Sequence, residues 1–261
     1  MKKERIVVEE RRNNIMEILR KSPEKNVEDL SLILNVSKVT IRRDLQYLED
    51  HKKVVRFYGG AKVVETAKSE ALTEVEELKL YRDLIARYAA SLVEDGDSIF
   101  VNTSSNALKM LDYVQCKNVT VVTNNGGVIG KDYQSGLNIF LSGGEVRYPK
   151  NALVGDFAIR NLQTIFPKKA FVGCSGISAV SGLTTEIVGE VEINALMLRN
   201  ATKAVYVLAD HTKIGKNSSF TTAMIEEVGH LITDEKAPED LLDELRQAGV
   251  EIHLVSKDDL K

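Results

Sequence analysis

Between Ser37 and Gln46 the sequence "SKVTIRRDLQ" brings Ser37, Lys38, Thr40, Arg42, Arg43 and Gln46 within ten positions. Arginine can bond guanine through two parallel hydrogen bonds and glutamine can do the same to adenine, while lysine, serine and threonine hold phosphates or base edges. A second set lies far along the chain. Asn102, Thr103, Ser104, Ser105 and Asn106 are consecutive, Gly143, Gly144 and Arg147 share one stretch, and Asp210 precedes Lys213 in "DHTKIG". Hydroxyls and unpaired N–H groups at a helix start suit an anion, glycines allow close backbone approach, and acids and amides suit sugar hydroxyls.

The first set rides on a helix whose inner side is apolar. Ile41, Leu45 and Leu48 recur at i, i+4, i+7, and Ser37 stands where a cap belongs. Before it, Asn26 caps a shorter pattern with Val27, Leu30 and Leu34 inward, and Ile15, Ile18 and Leu19 mark an earlier helix over "RRNNIMEILRKS". Two helices joined by the short "NVS" break form a helix-turn-helix, whose second helix enters the major groove. The stretch "VVRFYGGAKVV" alternates around Gly59-Gly60 and predicts a hairpin wing, with Arg56 and Tyr58 on one side and Val55 and Phe57 on the other. Arg42 and Arg43 alone would read as a solvated face with Asp44 as counter-charge. Charge distribution favours the groove: the first 65 residues hold 15 Lys and Arg against 11 Asp and Glu, whereas the whole chain of 261 residues carries −3.

The second set requires a different scaffold. After an acidic stretch at 63–75, expected as a linker, a helix runs through "ELKLYRDLIARYAASLVEDGD". Seven apolar segments then alternate with helical ones: "SIFVN", "VTVVTN", "NIFLSGG", "AFVGCSG", "AVYVLAD", "HLITD" and "EIHLV". Such strands predict an α/β domain with a largely parallel sheet covered on both faces, whose ligand sits at the carboxyl ends of the strands. The predicted organisation is therefore a winged helix-turn-helix over 1–62, a linker over 63–75 and an α/β domain over 76–261.

Cys116 and Cys174 are the only cysteines, which excludes a disulfide framework and a cysteine zinc motif. His51, His230 and His253 are scattered and are expected to be structural or surface residues, so neither a metal nor a cofactor is expected. No signal core and no apolar run of membrane-spanning length follows the charged start, so a cytoplasmic protein is expected. Neither "GxxxxGK[ST]" nor "GxGxxG" occurs.

The segment "VSKVTIRRDLQYLEDHKKVVRFYGGA" resembles the signature of the DeoR family of bacterial transcriptional regulators, in which a histidine usually stands at the position of Tyr58. "LIARYAASLVEDGDSIFVNTSSNAL", "GGEVRYPKNALVG", "GCSGISAVSGLTTE" and "VLADHTKIG" resemble that family's sensor half, so the likeness covers nearly the whole chain. It implies a fold related to ribose-phosphate isomerase and CoA-transferase, a double-stranded DNA operator as partner, and a phosphorylated sugar effector that relieves repression. The family commonly has Asp-x-Gly-Thr/Ser-Thr where this chain has Asn102 to Asn106, and a lysine two residues after Glu192 where this chain has Asn194. Both departures bear on which sugar fits.

The leading expectation is a repressor of sugar-metabolism genes with no catalytic residues. A sugar-phosphate isomerase-like enzyme with an added nucleic-acid module is the alternative, because acids with a lysine can move protons; asparagine at 102 and 194 removes two candidate groups. A third is a constitutive DNA-binding protein whose second domain only oligomerises. One winged module offers a modest DNA interface, so a homodimer or homotetramer is expected.

Overall fold

A computed structural model describes residues 2–22, 24–51, 53–57, 59–63, 65–133 and 136–260, and the chain divides into two compact units, Met1–Glu77 and Leu78–Lys261.

The first unit contains α1 (Lys2–Lys21), β1 (Glu24–Asn26), α2 (Val27–Leu34), α3 (Lys38–Asp50), β2 (Val54–Phe57) and β3 (Gly60–Val63). Helix α1 starts well before the predicted Arg11, because Lys2 to Glu10 contains neither proline nor glycine to stop it. The Asn26 side chain accepts the Asp29 N–H at 2.7 Å and Ser37 Oγ accepts the Thr40 N–H at 3.2 Å, so both predicted caps form. Between them Asn35 takes the left-handed conformation, φ 51°, and ends α2. Ile15, Leu19, Leu30, Ile41, Leu45 and Leu48 close one core. The strands order β1-β3-β2, all antiparallel. Only Gly59 of the expected glycine turn has positive φ, 95°; Gly60 already belongs to β3, where a Cβ would lie 2.4 Å from the Lys25 carbonyl oxygen. On β2 the buried residue is Val54, and Val55, Arg56 and Phe57 are exposed.

Helix α4 (Glu65–Ser91) occupies most of the stretch expected as a linker. Acidic and alanine-rich sequence without Pro or Gly loses strand alternation without losing helix propensity, which is why the absence of a pattern misled.

The second unit continues with β4 (Ser98–Val101), α5 (Ser105–Met110), β5 (Val119–Thr123), β6 (Leu137–Leu141), β7 (Glu145–Arg147), β8 (Ala152–Val154), α6 (Asp156–Gln163), β9 (Lys169–Gly173), β10 (Gly176–Ser178), β11 (Gly182–Thr185), α7 (Val188–Asn200), β12 (Ala204–Leu208), β13 (Phe220–Ala223), β14 (His230–Asp234), α8 (Glu239–Gln247) and β15 (Glu251–Val255). The seven predicted apolar segments form one parallel sheet in the order β15-β14-β12-β9-β4-β5-β6. One face packs on α4 and α5 through Ile85, Ala89, Ile99, Val121 and Phe171; the other packs on α6, α7 and α8 through Phe100, Val172, Met197 and Leu242. Two small antiparallel sheets, β7-β8 and β10-β11-β13, arise from stretches that periodicity did not mark as strands.

From β4 the chain steps outward to β5 and β6, and from β9 it steps the other way to β12, β14 and β15. The order therefore reverses between β4 and β9. At such a point the loops leaving adjacent strands diverge and open a crevice.

Candidate functional site

In the first unit, the side of α3 turned from the core carries Val39, Arg42, Arg43 and Gln46, at i, i+3, i+4 and i+7, all exposed. The predicted counter-charge for the arginines is engaged elsewhere. Asp44 is buried and accepts Arg11 Nε at 2.6 Å and Arg12 Nε at 3.0 Å. Arg42 and Arg43 have no partner among the described residues. Lys38 is paired with Glu28, and Ser37 and Thr40 bond each other at 2.9 Å at the helix start. Gln46 bonds Arg56 and donates to Asp50 at 2.9 Å, while the Arg56 guanidinium lies 3.7 Å from Glu49. Tyr58 lies outside the described residues. Sequence reasoning passed over Val39, which is 65% exposed, because an apolar residue on a helix is assigned to the core by default.

In the second unit, a cavity of about 290 Å³ opens where β4 and β9 diverge, lined by Asn102 to Asn106, by Gly173, Cys174 and Ser175, and by Asp210 and Lys213 among others. This is near the lower end of small-ligand pockets. Gly173 is required here, because a Cβ would come within 2.0 Å of Ser104 Oγ. Part of the lining is bound within the protein. Asn102 Oδ1 accepts the N–H groups of Ser104 at 3.1 Å and Gly173 at 3.0 Å, and the side-chain amide Nδ2 donates to the Gly173 carbonyl at 2.9 Å and to Asn194 Oδ1 at 3.1 Å. The two departures from the family pattern thus meet in one neutral pair. Thr103 donates to Glu190 at 2.9 Å, and Lys150 stands 3.9 Å from the same carboxylate. Asp210 accepts Arg82 Nε at 2.8 Å and the Thr212 N–H at 3.0 Å. Burial alone would raise its carboxyl; the bonds from Thr212 and Arg82 and the charges of Arg82 and Lys213 hold it below the usual carboxylate range.

The rest of the lining is open. Ser105 is exposed, and Asn106, nearly buried, has no hydrogen-bond partner among the described residues. Ser104 makes no side-chain cap, so the first N–H groups of α5 remain available. Burial pushes the Cys174 thiol up to about 12, which keeps it neutral.

Gly143, Gly144 and Arg147 are not brought to this cavity. Gly144 faces the Val154 carbonyl oxygen, 2.5 Å from where a Cβ would stand, so it serves the approach of β7 to β8; Arg147 is exposed and pairs with Glu145 at 3.2 Å. Lys150, three residues later, lines the cavity instead. Arg82, Lys150, Ser175, Thr185, Glu186 and Glu190 also line it without having been singled out. Arg82 sits on α4 beside the buried Tyr81, and no local pattern separates it from the helix's other surface charges.

A model of the DeoR-like helix-turn-helix domain matches residues 11–67, and one of the DeoR C-terminal sensor domain matches residues 80–235. The chain belongs to the DeoR family. It is 31% identical to the HTH-type transcriptional repressor GlcR of Bacillus subtilis, covering 97% of this chain and 98% of that one. Against the HTH-type transcriptional regulator GlpR of Haloferax volcanii the identity is 33%, over 93% and 96% of the two chains. The putative aga operon transcriptional repressor of Escherichia coli O157:H7 is 28% identical over 95% and 94%. Ribose 5-phosphate isomerase A of Methanocaldococcus jannaschii, at 17% identity and a TM-score of 0.36, covers 53% of this chain and 54% of its own. At that overlap the likeness says nothing of activity.

As a DeoR-family member the chain is a transcriptional regulator, not an enzyme, with a DNA-binding domain and a sensor domain for a small-molecule effector. Among the described residues, no helix is long and apolar enough to cross a membrane.

Proposed function

We propose that this protein is a cytoplasmic repressor of sugar-metabolism genes whose operator is released when a phosphorylated sugar enters the cavity between β4 and β9. Residues 1–62 bind duplex DNA and residues 76–261 sense the effector and assemble the oligomer. The observation that carries this is the division of the cavity lining into engaged and open groups. Asn102 and Thr103 spend their hydrogen bonds on the protein, so they frame the site. Ser105, Asn106, the first N–H groups of α5 and Lys213 remain for a phosphate, with Lys150 near it. The exposed Glu186 carboxylate is left for hydroxyls at the other end, beside Asp210, whose two oxygens Arg82 and Thr212 already engage.

On α3, Arg42 and Arg43 read bases, Val39 supports them by apolar contact with a thymine methyl, and Lys38 with Ser37 and Thr40 holds phosphates. Gln46, Arg56 and the wing residue Tyr58 complete the DNA contacts, for which Gln46 must exchange its present partners. Exposed Phe140 and Leu141 on the edge strand β6, followed by Val146 and Tyr148, favour self-association into a dimer or tetramer.

A thermal-shift panel of sugar phosphates, polyol phosphates and the corresponding free sugars tests the effector class. A phosphorylated compound should raise the melting midpoint by mass action while its unphosphorylated counterpart does not. Equal shifts from both would reject a phosphate-centred site.

A further inference from the structure

We propose that His230, Glu251 and His253 form a binding site for a zinc-class divalent metal ion at the edge of the parallel sheet, separate from the effector cavity. The strands assemble it. In the register of β14 and β15, His230 lies opposite Glu251 and Ile232 opposite His253. Residues two apart on a strand share a face, so Glu251 and His253 point the same way, and their in-register neighbour His230 joins them. His230 and Glu251 begin their strands and His253 stands two residues into β15, whereas the effector cavity lies at the strands' carboxyl ends.

Three side chains converge. His230 Nδ1 is 3.1 Å from His253 Nε2 and 3.3 Å from Glu251 Oε2, and His253 Nε2 is 3.6 Å from Glu251 Oε1. Tetrahedral zinc with bonds of about 2.0–2.1 Å to nitrogen and oxygen separates its ligand atoms by roughly 3.3 Å. The observed separations, 3.1 Å between the two imidazole nitrogens and 3.3 and 3.6 Å from them to the two Glu251 oxygens, bracket that value. Two imidazoles and one carboxylate leave a fourth position for water, as an open zinc site requires.

The surroundings fix the rings in the orientation a ligand needs. Tyr88 Oη lies 3.0 Å from His253 Nδ1, so that nitrogen can carry the proton and donate it to the tyrosine, leaving Nε2 with its lone pair toward the other donors. The His230 ring stacks on Tyr206 with centroids 4.7 Å apart, and Tyr206 stacks in turn on Phe171 at 5.1 Å. Both histidines are partly buried while the Glu251 side chain is 64% exposed, so an ion has an open side from which to enter. A bound ion would tie the edge strand β15 to its neighbour β14 and to α4, which supplies Tyr88. Twenty-three positions separate the two histidines in sequence, so no local motif announces them.

Chelator-treated, untagged full-length protein titrated with zinc ions against a chromophoric chelator tests this. One equivalent should bind with a dissociation constant in the micromolar range or below, and excess zinc should raise the melting midpoint by about 5 °C or more. His253→Gln and His230→Gln should each weaken binding at least tenfold, as should Glu251→Gln, an exposed substitution that spares the core. Tyr88→Phe should weaken it roughly 10-fold or more through the ring orientation. His51→Gln, in the other unit, should bind as wild type does. The site is rejected if wild-type protein fails to compete for zinc, or if Glu251→Gln and the folded histidine variants bind as tightly as wild type. The triad would then be two imidazoles sharing a proton beside a carboxylate.

Discussion

On α3 the arginines are exposed and have no partners among the described residues, whereas at the β4–β9 crevice Asn102, Thr103 and Asp210 are already bound to neighbouring protein groups. The difference follows from what each surface meets. DNA brings a dense row of phosphates to an exposed face, and charges kept in water cost little until it arrives. A cavity must satisfy its buried polar groups even when empty, because an unmatched one costs about 1–3 kcal/mol. Among the described lining residues, Ser105, Asn106, Glu186 and Lys213 are the groups left open to a ligand. Residues that look alike in sequence therefore divide into frame and reader, and the division is opposite in the two units.

Removing both readers should have the largest effect. Arg42→Ala and Arg43→Ala should each cost about 1–3 kcal/mol on the specific operator, and together roughly their sum, measured by fluorescence anisotropy. Lys38→Ala should weaken specific and random DNA alike, as the loss of a phosphate contact would. Wild-type affinity from the folded double variant would remove α3 as the reading helix.

Breaking the frame comes next. Gly173→Ala places a methyl against Ser104 and should cost about 1–3 kcal/mol of effector affinity, seen by calorimetry, while leaving operator affinity unchanged. A loss of operator binding instead would mean that the two functions are not separable in this way.

A smaller, pH-dependent effect sharpens the comparison. Asp83 on α4 is paired with Lys109 of α5 at 2.6 Å and with Arg87 at 2.7 Å, and Tyr113 donates to it as well. Burial opposes its ionisation, but the bonds from Lys109, Tyr113 and Arg87 prevail and lower its carboxyl to about 2. A depressed folded-state value stabilises the fold above the unfolded value near 4 and loses that contribution as pH falls toward 2. Asp83→Asn should therefore destabilise by about 2 kcal/mol at pH 7, with the gap to wild type narrowing below pH 4 in denaturant titrations. A gap constant from pH 7 to pH 3 would show that Asp83 acts by packing. Arg147→Ala should do least: exposed and away from the cavity lining, it should leave the effector response as it is.

The elements that position both sites were legible because their signals are local. Caps at Asn26 and Ser37 and seven apolar runs need only neighbouring residues to be recognised, and all of them form. The helix over 65–75 was missed because a polar, featureless stretch looks the same whether helical or not. The cavity was half legible. Ser105, Asn106 and Lys213 follow strands directly and could be placed at their carboxyl ends, but Arg82, Lys150 and Glu190 arrive from α4, the loop after β7 and α7. Their presence depends on packing between distant elements, which no spacing encodes. The same holds for Arg147, where a glycine turn suggested an anion loop and the chain used it to close a hairpin.

The central claim is that a phosphorylated effector bound at the start of α5 lowers operator affinity. An operator selected from random duplexes, titrated by anisotropy with and without the phosphorylated compound found by thermal shift, tests it on wild type and on Ser105→Glu. The substitution puts a fixed negative charge where the phosphate belongs. Wild type should lose about 5- to 150-fold in operator affinity with the effector, a coupling of about 1–3 kcal/mol, and Ser105→Glu should bind the operator but lose nothing. An effector response in Ser105→Glu equal to that of wild type would contradict the account.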